Sequence, residues 1–130
     1  MKAIVMAGGE GRRLRPVSGN LPKPMVPFLG RPLMEHILLH LRAEGFSRIC
    51  VTLRWQAETI MDYFGDGSRL GLSLEYRVER EPLGTAGSVK NCRDFYGEED
   101  FLVISGDAAC DFPLGDLMKR HREEGAAATL

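Results

Sequence analysis

Apolar and polar positions follow two rhythms along this chain. Residues 2–6 carry Ala3-Ile4-Val5-Met6 without a polar break, the mark of a strand covered on both faces. Residues 49–53 and 101–104 read the same way, and residues 72–78 alternate with the period of a strand. Leu33, Met34, Ile37, Leu38 and Leu41 recur at helical spacing; Pro32 suits the first turn of that helix and Gly45 stops it. Further helices are predicted over residues 58–63, over 84–91 with Thr85 as cap candidate, and over 114–122 ahead of Gly125. Asp111 reads as a cap, with a role as a second metal ligand as the alternative. Residues 7–30, rich in Gly and Pro, read as one long loop, and loops of that length inside a compact domain are usually functional. Residues 127–130 look like the opening of a further strand.

Strands thus alternate with helices, which predicts an α/β protein: a mostly parallel sheet with helices on both faces. Right-handed crossovers give a core strand order 3-2-1-4, all parallel. In such sheets ligands bind beyond the carboxyl ends of the strands. Three loops leave that edge: residues 7–30 after the first strand, Glu79 to Gly84 after the third, and Ser105-Gly106-Asp107 after the fourth.

The 130 residues argue for one domain, and a composition of 44% apolar and 27% charged residues is that of an ordinary globular protein. A net charge of −1 argues against a general nucleic-acid or anionic-membrane binder. Positive charge is local instead: Arg12, Arg13, Arg15, Lys23 and Arg31 crowd near the start, which suits one small anionic ligand. Three cysteines (Cys50, Cys92, Cys110) with no C-x-x-C pair indicate neither a disulfide framework nor a zinc knuckle, and Cys50 reads as a buried core thiol. No signal peptide and no membrane-length apolar run is visible, so a cytoplasmic location is expected.

The loop after the first strand, Met6-Ala7-Gly8-Gly9-Glu10-Gly11-Arg12-Arg13-Leu14-Arg15-Pro16, has a direct chemical reading. Glycines allow close backbone approach to a ligand, successive N–H groups can form an anion nest, and the arginines add forked donors that match phosphate oxygens. Downstream, Pro22-Lys23-Pro24 holds a lysine on a stiff backbone. The P-loop pattern fails because no glycine is followed by Lys-Ser or Lys-Thr, and the dinucleotide fingerprint fails because Leu14 replaces its third glycine.

The pattern that is present, G-G-x-G-x-R-L-x-P followed by P-K-P-M, resembles the signature of the sugar-1-phosphate nucleotidylyltransferases, or nucleotide-sugar pyrophosphorylases. The resemblance implies a Rossmann-like three-layer α/β/α sandwich, here a truncated nucleotidyltransferase core. Residues 1–130 would be its N-terminal nucleotide-binding part, with the remainder of the domain outside this chain. It implies an enzyme that transfers a nucleotidyl group from an NTP to a sugar 1-phosphate, giving an NDP-sugar and pyrophosphate. Ala7, Gly8, Gly9, Gly11 and Arg12 would hold the nucleotide, Arg13 would neutralise the leaving pyrophosphate, and Lys23 would contact the reacting phosphates. Ser105-Gly106-Asp107 resembles the motif whose aspartate binds Mg²⁺, making Asp107 the expected metal ligand. Glu79-Arg80-Glu81-Pro82-Leu83-Gly84-Thr85-Ala86-Gly87 resembles the base-recognition loop, with wording closest to the mannose-1-phosphate guanylyltransferases; Glu79, Glu81, Gly84 and Thr85 are its candidate contacts.

The expected partners are therefore an NTP, GTP foremost, and a sugar 1-phosphate, with neither nucleic acid nor membrane; self-association into a homo-oligomer stays open. Two departures stand out: Arg12 replaces the family's usual Thr or Ser, and the sugar contacts and second metal aspartate of the family are missing, so the isolated piece is expected to be inactive. A non-catalytic nucleotide-sugar-binding relative is the first alternative, although Arg13 and Lys23 are both retained. A uridylyl, thymidylyl or adenylyl transferase acting on glucose 1-phosphate is the second. His36 and His40 lie four apart on the predicted first helix, a metal-compatible spacing without an evident third ligand; they read as packed or solvated.

Overall fold

The computed structural model describes residues 1–14, 16 and 19–130. Arg15, one of the loop arginines singled out above, lies outside the described residues. In chain order the elements are β1 (Lys2–Met6), β2 (Pro27–Phe28), β3 (Arg31–Pro32), α1 (Leu33–Ala43), β4 (Arg48–Leu53), α2 (Ala57–Phe64), β5 (Ser73–Val78), α3 (Gly84–Lys90), α4 (Arg93–Tyr96), β6 (Phe101–Ser105) and α5 (Leu114–Glu124). Short 3₁₀ turns lie at Arg12–Leu14, Lys23–Met25 and Ser68–Leu70.

The main sheet runs β5-β4-β1-β6 with every pairing parallel, which is the expected order 3-2-1-4. Its centre explains the unbroken apolar run of β1. Ala3, Ile4 and Val5 are fully buried, and successive side chains point to opposite faces. Ala3 and Val5 join the larger core with Met34, Leu38 and Leu41 of α1 and Ile60 of α2. Ile4 turns to a smaller cluster with Cys50, Cys92 and Phe95, under α4. Helices therefore cover both faces, giving the three layers. Burying Leu38 and Leu41 completely contributes about 1.5–3 kcal/mol for each side chain.

Cys50 is the core thiol that its apolar run suggests. Its Sγ lies 3.5 Å from that of Cys92, and the bond between them, together with burial, pushes the Cys50 thiol far up, so it stays protonated and inert. Among the described residues no helix is long and apolar enough to cross a membrane.

Several local expectations are corrected. The loop over residues 7–30 is not featureless: it contains two 3₁₀ turns and enters a two-stranded antiparallel hairpin, β2–β3. Strands of two residues are too short to leave a periodic signature. Residues 127–130 form no strand, because no strand of the sheet pairs with them. Thr85 caps nothing: α3 begins one residue earlier, at Gly84, with Leu83 at the cap position and no side-chain cap bond. Asp111 does not cap α5 either, since Pro113 occupies that position.

Candidate active site

Strand register brings the predicted loops together. Met6 of β1 pairs with Thr52 of β4 and with Ser105 of β6, so three strands end at one level. Two bonds carry this alignment past the strand ends: Ala7 N–H donates to the Thr52 carbonyl (2.9 Å), and Gly106 N–H donates to the Met6 carbonyl (2.8 Å). On the far side, Glu79 directly follows β5, and its N–H donates to the Leu53 carbonyl (2.7 Å). The sheet order then dictates the site's layout: Glu79 after β5, Arg54 after β4, the glycine loop after β1, Asp107 after β6. Strands lie about 4.8 Å apart, so the outer two of these positions are separated by roughly 14 Å.

Over this edge lies a cavity of about 380 Å³. Of the candidates, Ala7, Gly8, Gly9, Lys23, Glu79, Gly84, Thr85 and Asp107 line it. Gly11, Arg12, Arg13 and Glu81 do not. Arg12 turns outward, its guanidinium bound to the Glu10 carboxylate of its own loop. Arg13 is exposed in the 3₁₀ turn. Glu81 is exposed because β5 ends at Val78 and the chain bends at Arg80 and Glu81, which breaks the alternation that would have aligned it with Glu79.

At one end, Lys23 Nζ donates to Asp107 Oδ2 at 2.8 Å. Ser105 Oγ donates to the other carboxylate oxygen. Partial burial pushes the Asp107 carboxyl up, but the bonds from Lys23 and Ser105 and the lysine's charge outweigh it and hold the group below the ordinary aspartate range. Lys23 is set by its backbone: Pro22 and Pro24 are buried around it, and Met25 N–H donates to the Pro22 carbonyl (2.8 Å). Its stem crosses Gly11, where a Cβ would stand 2.9 Å from Lys23 Cγ, on a backbone with φ +59°. Gly11 is thus doubly required to be glycine. Gly8 and Gly9 have no such conformation; a Cβ on Gly9 would meet nothing within 4 Å, so its face is open toward the cavity side of the loop.

Gly106 fixes the spacing between the first loop and Asp107. A Cβ there would lie 3.0 Å from Ala7 Cβ and 3.2 Å from the Met6 carbonyl oxygen. Neither neighbour can swing away, since one is a Cβ and the other backbone. Gly106→Ala should therefore cost about 1–3 kcal/mol of stability through overpacking, read as a fall in the denaturant midpoint. An unchanged midpoint would show that the two loops are not in firm contact.

At the other end, Glu79 is 8% exposed, and its Oε1 is buried with no hydrogen-bond partner among the described residues. An orphaned buried oxygen costs about 1–3 kcal/mol, which a ligand donor would relieve. Arg54 is a wall residue that the sequence reading missed; its guanidinium binds the Glu10 carboxylate. Its signal was topological, since it leaves β4 at the same edge as Glu79 leaves β5. Bonding to Arg12, and the charges of Arg12 and Arg54, hold the Glu10 carboxyl below the ordinary range. The arrangement offers open backbone and a lysine at one end and a carboxylate acceptor at the other, a layout suited to an anionic ligand with a hydrogen-bond-donating head.

Known proteins resemble this chain over nearly its whole length. A uridylyltransferase from Synechocystis, UTP--glucose-1-phosphate uridylyltransferase, is 40% identical over 100% of this chain and 36% of its own length. A mannose-1-phosphate guanylyltransferase from Mycobacterium tuberculosis is 37% identical over 98% of this chain and 36% of its own. The crystal structure of HddC from Yersinia pseudotuberculosis complexed with GMP-PN superposes with a TM-score of 0.82 at 32% identity, over 92% of this chain and 53% of that one. The chain thus spans about a third of the length of these curated relatives and about half of the solved structure. Residues 2–130 match the model of the nucleotidyl transferase family, and the chain belongs to that family.

Proposed function

We propose that residues 1–130 form the N-terminal nucleotide-binding part of a cytosolic sugar-1-phosphate nucleotidyltransferase, with GTP and mannose 1-phosphate as its foremost substrates. The observation that carries the reading is the pairing of opposite chemistries in one cavity: Lys23 with Asp107 at one end, the partnerless Glu79 oxygen at the other. Phosphoryl-type transfer asks a protein mainly for positioning and charge neutralisation. The reaction is in-line attack of a sugar-phosphate oxygen on the α-phosphorus, with pyrophosphate leaving. The open backbone of Gly8 and Gly9 takes the triphosphate, Lys23 neutralises the reacting phosphates, and Arg13 meets the pyrophosphate from the solvent side.

The residues present fit Mg²⁺. That ion takes one or two protein carboxylates and completes its shell with phosphate oxygens and water. Asp107 supplies one carboxylate at a strand end, and no cluster of three or more ligating side chains occurs among the described residues. When bound, the ion would neutralise charge on the phosphates beside the reacting phosphorus. Asp107 would hold it, and Lys23 would exchange its bond with Asp107 for bonds to phosphate.

Guanine is favoured by the chemistry of Glu79. An ionised carboxylate only accepts hydrogen bonds. Guanine offers two adjacent donors, its ring N1–H and its amino group, whereas uracil offers one N–H between two carbonyls that repel a carboxylate. The uridylyltransferase reading is favoured by the 40% identity to the Synechocystis relative. Nucleotide competition at fixed magnesium separates the two. Wild type should prefer GTP to UTP, and Glu79→Gln should shift that preference toward UTP by at least about tenfold, because a site built for one polar edge rejects a mismatched one. Equal affinity for both nucleotides in both proteins would remove Glu79 from base selection.

A further inference from the structure

The two loops that carry Lys23 and Asp107 are fastened to the same side of one helix. His36 Nε2 lies 2.6 Å from the Phe28 carbonyl oxygen, and His40 Nε2 lies 2.8 Å from the Phe112 carbonyl oxygen. A carbonyl only accepts, so each imidazole donates from Nε2. His36 and His40 are one turn apart on α1, about 6 Å along its axis. Phe28 stands five residues beyond Lys23, and Phe112 five beyond Asp107. Glu44 extends the row by another turn: its Oε2 accepts from Gly115 N–H, 2.8 Å away, at the start of α5. Leu33 N–H donates to the Val26 carbonyl (3.0 Å), and the Phe28 ring meets the His36 ring edge-on at 5.5 Å.

We infer that His36 and His40 are positioning residues for nucleotide binding: α1 is a common brace that sets Lys23 and Asp107 at their working separation. The inference rests on the proposed nucleotide reading of the cavity. Lys23 and Asp107 cannot hold that separation by themselves. Their side chains are 34% and 31% exposed, and an ion pair so open to water contributes little and weakens with salt. The hairpin β2–β3 needs outside support as well, since Leu29 at its tip has φ +47° and is 81% exposed, a conformation disfavoured for any residue with a Cβ. The histidines supply that support from a helix whose buried face is locked in the core by Met34, Leu38 and Leu41.

The test uses the protein at its natural length, with His36→Phe and His40→Phe to keep a ring but remove the donor. His36→Gln and His40→Gln keep an amide donor near the Nε2 position. Arg42→Met is the control, because it removes the guanidinium that donates from α1 to the Leu70 carbonyl, away from both loops. Affinity for magnesium-GTP and magnesium-UTP is titrated, and amide hydrogen exchange is followed without nucleotide in residues 23–28 and 106–115, whose bonded amides include Gly106, Leu114 and Gly115. Each Phe variant should weaken the tighter nucleotide about fivefold, the effect of one lost hydrogen bond. His36→Phe should speed exchange in the first segment and His40→Phe in the second. The Gln variants should return both readouts to within about twofold of wild type. Arg42→Met should lower the melting temperature and move neither.

Unchanged exchange in the Phe variants, or no recovery in the Gln variants, would overturn the brace. So would loosened loops with nucleotide affinity intact. A wild type that binds neither nucleotide would overturn the nucleotide reading instead, with the exchange arm still deciding whether the helix holds the loops. If a Phe variant does not fold, the Asn variant, whose amide stops short of the carbonyl, takes its place.

Discussion

Asp107→Asn should lower metal-dependent turnover by at least about a hundredfold in the full-length protein, with its melting curve little changed. Outer-shell partners of metal ligands cost about 10–100-fold when removed, so the proposed ligand itself should cost no less. The amide keeps the shape and still accepts from Ser105, but it lacks the charge that Mg²⁺ and Lys23 both use. The pH dependence has a definite sign. The folded-state pKa of Asp107 is depressed, so its contribution to stability is present above the unfolded aspartate value and is lost as pH falls through the lower folded value. Metal-supported nucleotide binding in the wild type should therefore persist as pH drops through the ordinary aspartate range and fail only below it. Pyrophosphate release across a magnesium series measures the first effect. Wild-type rates in the Asn variant would make Asp107 a structural residue of the strand end.

Lys23→Ala should weaken triphosphate binding by about 10- to 150-fold, the loss expected for one charge-assisted contact. The fold should tolerate the change, because the lysine's ion pair is partly exposed and its backbone is held by Pro22 and Pro24. Lys23→Arg should restore only part of it, since a planar fork is wider than the compact ammonium that meets Asp107 at 2.8 Å. Titration of a nucleoside triphosphate against both variants, beside a melting curve, reads affinity and folding separately. Unaltered affinity in Lys23→Ala would remove the lysine from the phosphate end.

Much of this molecule was legible because its two central strands, β1 and β4, are short and nearly all buried. An apolar run as short as Ala3 to Met6, soon ended by glycines, reads as a strand covered on both sides, and alternation with helices then leaves few topologies. The cavity followed from the same rule, since loops leaving the carboxyl edge must share it. What escaped was written in single contacts rather than in periodicity. Arg54 follows a strand end with no motif around it. Glu79 and Glu81 look equivalent until the chain bends between them. The hydrogen bonds of His36 and His40 go to backbone carbonyls, one 8 and the other 72 residues away, and a carbonyl leaves no mark in the sequence. Gly106 is distinguished from Gly9 only by what stands over it, and Gly11 by that and by its positive φ.

The central place of β1 also governs the order in which the molecule can be assembled. Lys2 pairs with Arg48 on one edge and with Phe101 on the other. A ribosome therefore delivers the middle of the sheet well before either flank. Until β4 emerges, β1 has two unsatisfied edges; until β6 emerges, it still has one. Such an apolar ribbon invites pairing with other chains during synthesis. The glycine loop cannot acquire its final shape in that interval, because the bonds that align it, from Ala7 to Thr52 and from Gly106 to Met6, wait for both neighbours. The final shape of this loop thus waits until residue 106 has been made, although its own residues are among the earliest.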